Sequence, residues 1–360
     1  MKNYITHIHY AKYLTFEEKL AYYGLGIAKL FYFLAVKCRL LAFKKGFKKT
    51  EKVNAYVISI GNITTGGTGK TPVCVAIANY FSQQNKKTAI LSRGYGGKLS
   101  NTHVNTISDG DNIFFSAHMS GDEPYWLAYN AQKTSVLTCK NRLEAAKTAI
   151  EDHNAEILIL DDGYQHLKMA RDFNIMLIDG NLKFGNEKLL PQGPLREPLS
   201  EINRADCILI MNKRALDKNA VQNCENFANE IQKKYQKKTI ICNFAPKGIF
   251  NLSNNSELID STKIYAFAGI GQPKFFFEYL KNQGFSLVKE RIFEDHHLYT
   301  QEDIKNIIRE AQKLGAKGIV TTEKDAVKIK AILGQQSEMD FYALKLGLDL
   351  NVEELFSTSI

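Results

Sequence analysis

The sequence predicts an α/β protein: a mostly parallel sheet with helices on both faces, a smaller second α/β unit after it and an amphipathic helix before it. Three observations carry this expectation. A β-branched run, Tyr56 to Ile60 (YVISI), passes through GNITTGGTGKT into PVCVAIANYF, which has helical spacing. Short apolar runs at 88–91, 157–160, 175–178, 207–211 and 239–242 alternate with helical stretches, as parallel strands joined by crossover helices do. A further strand, loop and helix starts at Ile264 (IYAF, then AGIGQPKFFFEYL).

Length and charge organise the chain. At roughly 150 residues per domain, 360 residues suggest two domains with their own cores, and we divide the chain into 1–52, 53–245 and 246–360. Lys plus Arg number 47 against 38 Asp plus Glu, a formal charge of +9. Residues 1–52 hold eleven of those cations and three Glu, or +8, so the body is nearly neutral. A nucleic-acid partner is not expected, because such proteins carry their basic face on the folded domain. The six cysteines form no Cys-x-x-Cys pair and no metal spacing with His, which suits a reducing compartment.

Leu20 to Phe43 reads LAYYGLGIAKLFYFLAVKCRLLAF, followed by Lys44, Lys45, Lys48 and Lys49. Lys29, Lys37 and Arg39 interrupt it, so no uncharged piece approaches the roughly 20 residues of a membrane span. It also lacks the cleavage site of a signal peptide. At about 100° per residue, Lys19, Lys37, Lys44 and Lys48 fall within about 40° of one another, with Arg39 off the stripe. The rest is a wide apolar arc. A helix lying in a membrane interface is expected, in preference to a core helix with snorkelling lysines. Deleting residues 1–45 is expected to release the protein from membranes.

The glycine loop carries the chemistry. Thr64, Thr65, Gly66, Gly67, Thr68, Gly69, Lys70 and Thr71 form a phosphate-binding loop between strand and helix, where backbone N–H groups and the helix N-terminus favour an anion. Lys70 is placed to reach the β/γ oxygens and Thr71 to hold Mg²⁺. The longer G-x-x-x-x-G-K-[ST] pattern is not met, because Thr64 stands five before Gly69. A P-loop NTPase-like fold follows, with ligands at the carboxyl ends of its strands.

Polar clusters stand at those ends. SRGYGG (92–97) closes the second strand, and EILILDDGYQH puts Asp161 and Asp162 just past another, where an acid on the Mg²⁺ side belongs; turn chemistry is the plainer alternative. In GDEP (121–124), Asp122 is a candidate base and Glu123 a candidate metal partner, against helix capping by an acid. LLPQGPLREPLS (189–200) uses three of the seven prolines, a stiff loop presenting Arg196 and Glu197. Asn212-Lys213 lacks the Asp of a guanine-reading loop and is discounted. Gly269-Ile270-Gly271 is an incomplete dinucleotide fingerprint. FEDHHLY (293–299) offers a His for a base unit, since two adjacent His cannot share one face as metal ligands. VTTEKDAVKI (320–329) closes another strand.

These motifs, in order and over roughly residues 56–330, closely resemble the tetraacyldisaccharide 4′-kinase family, the lipid A 4′-kinases. Tyr164, Met169 and Glu187 depart from the usual Phe, Leu and Gly, without removing a charged site group. The resemblance implies ATP- and Mg²⁺-dependent phosphorylation of the 4′-hydroxyl of a tetraacylated glucosamine disaccharide, the lipid A precursor. The place implied is the cytoplasmic face of the bacterial inner membrane, with the protein bound peripherally by its N-terminal helix and a smaller lid-like domain closing over the nucleotide. A monomer is expected. Carried over by motif, Lys70 and Thr71 act on phosphates and Mg²⁺, and Asp122 is the base, supported by a His of FEDHH, with His296 favoured over His297. Asp161, Asp162, Glu123 and Glu197 are metal-side or catalytic acids, with Arg196 offsetting phosphoryl charge. A membrane-bound ATPase switch is the rival; Thr64, where switches carry a signature Lys, and the N-terminal place of the helix point away from it.

Overall fold

The computed structural model describes every residue except 1, 12, 216, 259–261, 272, 296, 334–337 and 358–360. Two helices come first, α1 (Lys2–Tyr10) and α2 (Phe16–Lys44). There follow β1 (Tyr56–Gly61), α3 (Lys70–Gln83), β2 (Thr88–Ser92), β3 (Asn105–Ser108), α4 (Ala117–Ser120), α5 (Asp122–Asn130), β4 (Thr134–Thr138), α6 (Arg142–His153), β5 (Ile157–Asp161) and β6 (Phe173–Asp179). A 3-10 turn at Leu199–Arg204 leads to β7 (Cys207–Asn212), α7 (Lys218–Tyr235) and β8 (Lys238–Asn251). The remainder is β9 (Lys263–Ala268), α8 (Pro273–Asn282), β10 (Ser286–Ile292), α9 (Gln301–Lys313), β11 (Gly318–Thr322), α10 (Glu323–Leu333), β12 (Phe341–Asp349) and α11 (Val352–Phe356).

The twelve strands of the described residues lie in one sheet, ordered β10-β9-β11-β12-β8-β7-β6-β1-β5-β2-β4-β3. Among the described strands only β3 with β4 and β8 with β12 pair antiparallel. The central strands are mostly apolar and buried because both faces are covered. Ile58 and Ile60 of β1 face a core with Val73, Ile77 and Phe81 of α3, and Val57 faces the opposite core with Ala145, Ala146 and Ala149 of α6. The predicted helices on both faces are therefore present.

Four strands lie outside the predicted runs: β3, β4, β10 and β12. β3 and β10 are the two sheet edges, and β10 (SLVKERI) leaves Lys289 and Glu290 exposed, so its composition hides it. β8 is longer than expected. Its first residues pair parallel with β7, Cys207 with Lys238 to Asn212 with Asn243, and from Asn243 on it pairs antiparallel with β12. One strand thus belongs to both halves of the chain. The C-terminal α11 returns to the first half, where Phe356 packs on Phe81 and Phe173 with ring centroids 5.3 and 5.0 Å apart.

The N-terminal region is two helices rather than one. α2 begins at a capping box in which Thr15 Oγ1 accepts from Glu18 N and the Glu18 carboxylate accepts from Thr15 N at 2.8 Å. Helix α2 turns one side to the body and leaves the other exposed. Val36 is buried against the body, Tyr32 Oη donates to Arg196 O at 2.9 Å, Gln192 Nε2 donates to Tyr22 O at 3.2 Å, and Arg39 donates to Gln165 O. Phe16, Leu20, Tyr23, Ile27 and Phe31 face outward, each at least 69% exposed. Among the described residues no helix is long and apolar enough to cross a membrane.

Candidate active site

β2, β5, β1, β6 and β7 are neighbours and parallel, so their carboxyl ends share one edge. The glycine loop fills the middle of it. Thr64 and Thr68 are buried while Gly66 and Gly67 are exposed, with nothing within 4 Å of where a Cβ would lie. The loop is stitched to the proline-rich segment: Thr65 N donates to Pro194 O at 2.8 Å, Arg196 N to Ile63 O at 2.7 Å, and Thr64 bridges Leu195. From α1, Tyr10 Oη donates to Thr65 O at 3.2 Å. Across the crown, Lys213 donates to Gly67 O and pairs with Asp179 at 2.7 Å. Gly69 turns the chain into α3 at φ +88, leaving Lys70 and Thr71 as the first residues of the helix.

Lys70, Asp162 and Arg196 converge. Lys70 Nζ is 3.4 Å from both Asp162 Oδ1 and Asn62 Oδ1, and Arg196 Nη1 reaches Asp162 Oδ2 at 2.9 Å and Oδ1 at 3.2 Å. Burial raises the Asp162 pKa, but Lys70 and Arg196 outweigh it and hold the carboxyl below its ordinary value. Two cations are thus held on one carboxylate beside the loop.

Asp161, the neighbouring residue, has the opposite environment. It is 5% exposed, accepts from Ser92 Oγ at 3.3 Å and lies 3.7 Å from Cys74 Sγ. Burial first, then Glu123, then Asp162 push its pKa up to about 6 against the pull of Lys70 and Arg142. Arg142 donates to Asp161 O at 3.3 Å, and burial lowers the Arg142 pKa to about 10, so the guanidinium stays charged. Among the described residues no three His, Cys, Asp or Glu gather as a metal cage. Mg²⁺ on a nucleotide needs only one or two protein oxygens besides phosphate and water. Under-compensated carboxylate charge at Asp161, fed by Glu123, fits such an ion.

Asp122 starts α5, behind Gly121 at φ +93. A Cβ on Gly121 would lie 2.7 Å from Tyr95 O, so the SRGYGG loop and GDEP meet backbone to backbone. Asp122 Oδ2 is 3.4 Å from Lys328 Nζ. Glu197 is drawn elsewhere: fully buried, it accepts from Arg204 and from Gln165 Nε2 at 3.3 Å, and Gln165 also donates to Asn62 O at 2.9 Å. Its partners Arg204 and Gln165 lie outside the Lys70, Asp162 and Arg196 cluster. His296 lies outside the described residues. His297 is engaged, with its ring 4.7 Å from Phe293 and 4.9 Å from Tyr299 and Nε2 3.2 Å from Asp303 Oδ2. His166 of DDGYQH is pushed down to about 4 by burial and by Arg142, so it is neutral at pH 7.

A family model described as tetraacyldisaccharide-1-P 4′-kinase matches residues 22–360. The chain belongs to the tetraacyldisaccharide 4′-kinase family. The 4′-kinase of Desulfotalea psychrophila is 38% identical over 312 residues, 86% of this chain and 88% of that protein. The 4′-kinase of Halothermothrix orenii is 34% identical over 322 residues, 86% and 84% of the two chains. A solved structure, the "apo" form of LpxK from Aquifex aeolicus in complex with ATP, matches with a TM-score of 0.73 at 30% identity, covering 93% of this chain and 96% of that one.

Within this 4′-kinase scaffold the sequence motifs sort into site and support. Lys70, Thr71, Asp161, Asp162, Glu123 and Arg196 gather around the loop. Asn62, Lys213 and Lys328 were not singled out as site residues, although Asn212-Lys213 carried a usable signal: a Lys directly after a strand at the ligand edge. Gly269 is explained by packing instead of a dinucleotide, since its Cβ would lie 2.8 Å from Tyr299 Oη.

Proposed function

We propose that this 4′-kinase transfers the γ-phosphoryl of ATP to the 4′-hydroxyl of a tetraacylated disaccharide lipid A precursor, working as a single chain on the cytoplasmic face of the bacterial inner membrane. The observation that carries the phosphoryl-transfer reading is the cluster of Lys70, Asp162 and Arg196 against the glycine loop. When nucleotide arrives, Lys70 and Arg196 exchange Asp162 for β/γ oxygens and offset charge on the phosphoryl group in flight. Thr71 and Asp161 would hold Mg²⁺, with Glu123 adding charge, and the bound ion would supply screening of the triphosphate. Asp122 accepts the proton of the sugar hydroxyl as its oxygen bonds to the γ-phosphorus and the bond to ADP breaks, and His296 supports it. Glu197 keeps the Arg196 loop in place through Arg204 and Gln165.

The outward stripe of α2 supports peripheral membrane binding. Phe16 is 83% exposed and Leu20 71%, with Lys19 and Lys37 exposed alongside, a combination that favours an anionic lipid interface. Since the opposite face of α2 touches the Arg196 loop, the acceptor's surface and the transfer site are next to each other. The test is incubation with labelled ATP and a lipid disaccharide acceptor. Wild type should label the lipid, Lys70→Ala should not, and Asp122→Ala should keep ATP affinity while losing turnover. Phosphate release that is equal with and without lipid overturns the kinase reading.

A further inference from the structure

Lys328 belongs to α10, yet its ammonium group is 3.4 Å from Asp122 Oδ2 on α5, in the other half of the chain. Its side chain is 7% exposed, and lysines are rarely so buried unless paired. Its second partner is Asp325 Oδ1, one turn back on α10, also at 3.4 Å. Asp325 is fully buried and fixed in turn: Oδ2 accepts from Gly269 N at 2.9 Å and from Thr322 Oγ1 at 2.7 Å. Thr321 Oγ1 donates to Phe267 O at 2.9 Å, tying β11 to β9 beneath it. FAGIG and VTTEKD therefore form a mount, and Lys328 is the side chain it extends across the gap. Lys330 Nζ, 3.3 Å from Tyr129 Oη and 5.3 Å from that ring's centre, joins α10 to the C-terminal end of α5 as well.

We propose that Lys328 is a positioning residue for phosphoryl transfer, setting the orientation of the Asp122 carboxylate and so making turnover depend on the docking of α10 against α5. The proposal rests on the reading of Asp122 as the base. A carboxylate at the first residue of a helix has several rotamers open to it. A buried ammonium group, itself anchored on Asp325, restricts that freedom by holding Oδ2 in one place. Displacements of about 1 Å at such a group cost on the order of 100-fold in rate.

The experiment is a double-mutant cycle under single-turnover conditions, with melting temperature and binding of an ATP analogue measured for each variant. Lys328→Met should lower kcat about 30-fold, within the range that misplacement produces, and leave KM for ATP within about twofold. Lys328→Arg should recover most of the loss. In an Asp122→Asn background Lys328→Met should add almost nothing, because the lysine acts only through that carboxylate. Wild-type turnover in Lys328→Met, or the same fold-loss in both backgrounds, overturns the proposal. If Lys328→Met does not fold, Lys328→Gln takes its place in the cycle. Undiminished turnover in Asp122→Asn alone overturns the base reading instead, a result read without Lys328.

Discussion

Gly69 shows how tightly a single residue is constrained here. Its φ of +88 is left-handed, and a Cβ would lie 2.6 Å from Phe244 Cζ and 3.3 Å from Met211 Cε. Gly69→Ala adds a left-handed penalty of about 1–2 kcal/mol to that overlap, so it should melt several degrees lower and bind an ATP analogue at least tenfold more weakly. Gly67→Ala, with open space around it, should melt like wild type; equal melting of the two variants sinks the packing explanation. Asp161 makes a pH-dependent prediction. Its folded pKa of about 6 exceeds the unfolded value, so its contribution to stability is complete below about pH 4 and is lost as pH rises through 6. On that shift the ionised carboxylate costs the nucleotide-free protein about 3 kcal/mol at pH 8. In EDTA, Asp161→Asn should therefore melt above wild type at pH 8 and lose that advantage near pH 4, while Mg²⁺-ATP-dependent transfer disappears. A difference independent of pH rules this out. The adjacent acids were legible as a pair in the sequence, but not their opposite titrations, which depend on which carboxylate the fold turns towards Lys70 and Arg196.

Helix α2 turns one face to the body and leaves the other exposed. The lysine column and the place of Arg39 off it follow from a 100° advance per residue and were legible, whereas the contact of Arg39 with Gln165 was not. The break between α1 and α2 was not, because periodicity continues past Thr15, whose capping box with Glu18 starts the second helix. Truncating residues 1–45 would confound membrane release with loss of Tyr32 and Arg39 contacts to the Arg196 loop and Gln165. Leu20→Asp with Ile27→Asp is the cleaner change, because these side chains are 71% and 69% exposed. The pair should abolish sedimentation with anionic vesicles, leave the melting temperature within about 1–2 °C, as surface substitutions do, and keep transfer to detergent-dispersed acceptor. Retained sedimentation would remove the stripe from the membrane account.

For the whole molecule, the +9 charge is a statement about where the chain meets its surroundings. With +8 in residues 1–52, attraction to anionic lipid should fall with ionic strength, since the screening length drops from about 10 Å at 0.1 M salt to about 3 Å at 1 M. Vesicle binding measured from 50 to 500 mM salt should weaken several-fold and level off above zero, because the apolar stripe is not screened. Complete loss would leave the lysines as the sole attachment. The division proposed at 245/246 would cut through β8, which pairs with β7 on one side and β12 on the other. We propose that the two units differ in core, not in sheet, and that β8 carries position from one to the other. α11 adds a second tie by burying Phe356 on the first core.

By itself the sequence determined the parallel scaffold, the phosphate loop and the charged end. Those features depend on local spacing: glycines between a strand and a helix, apolar runs buried on two faces, lysines on one helical column. Its ordered motifs also pointed to the family. Tertiary structure decided the rest. Only the folded chain could bring Lys213 onto Gly67, Glu197 onto Arg204, and Lys328 onto Asp122 from 206 positions away. A charge carries no mark of its partner in sequence, because pairing is set by which strand ends share an edge and which helices cross above them.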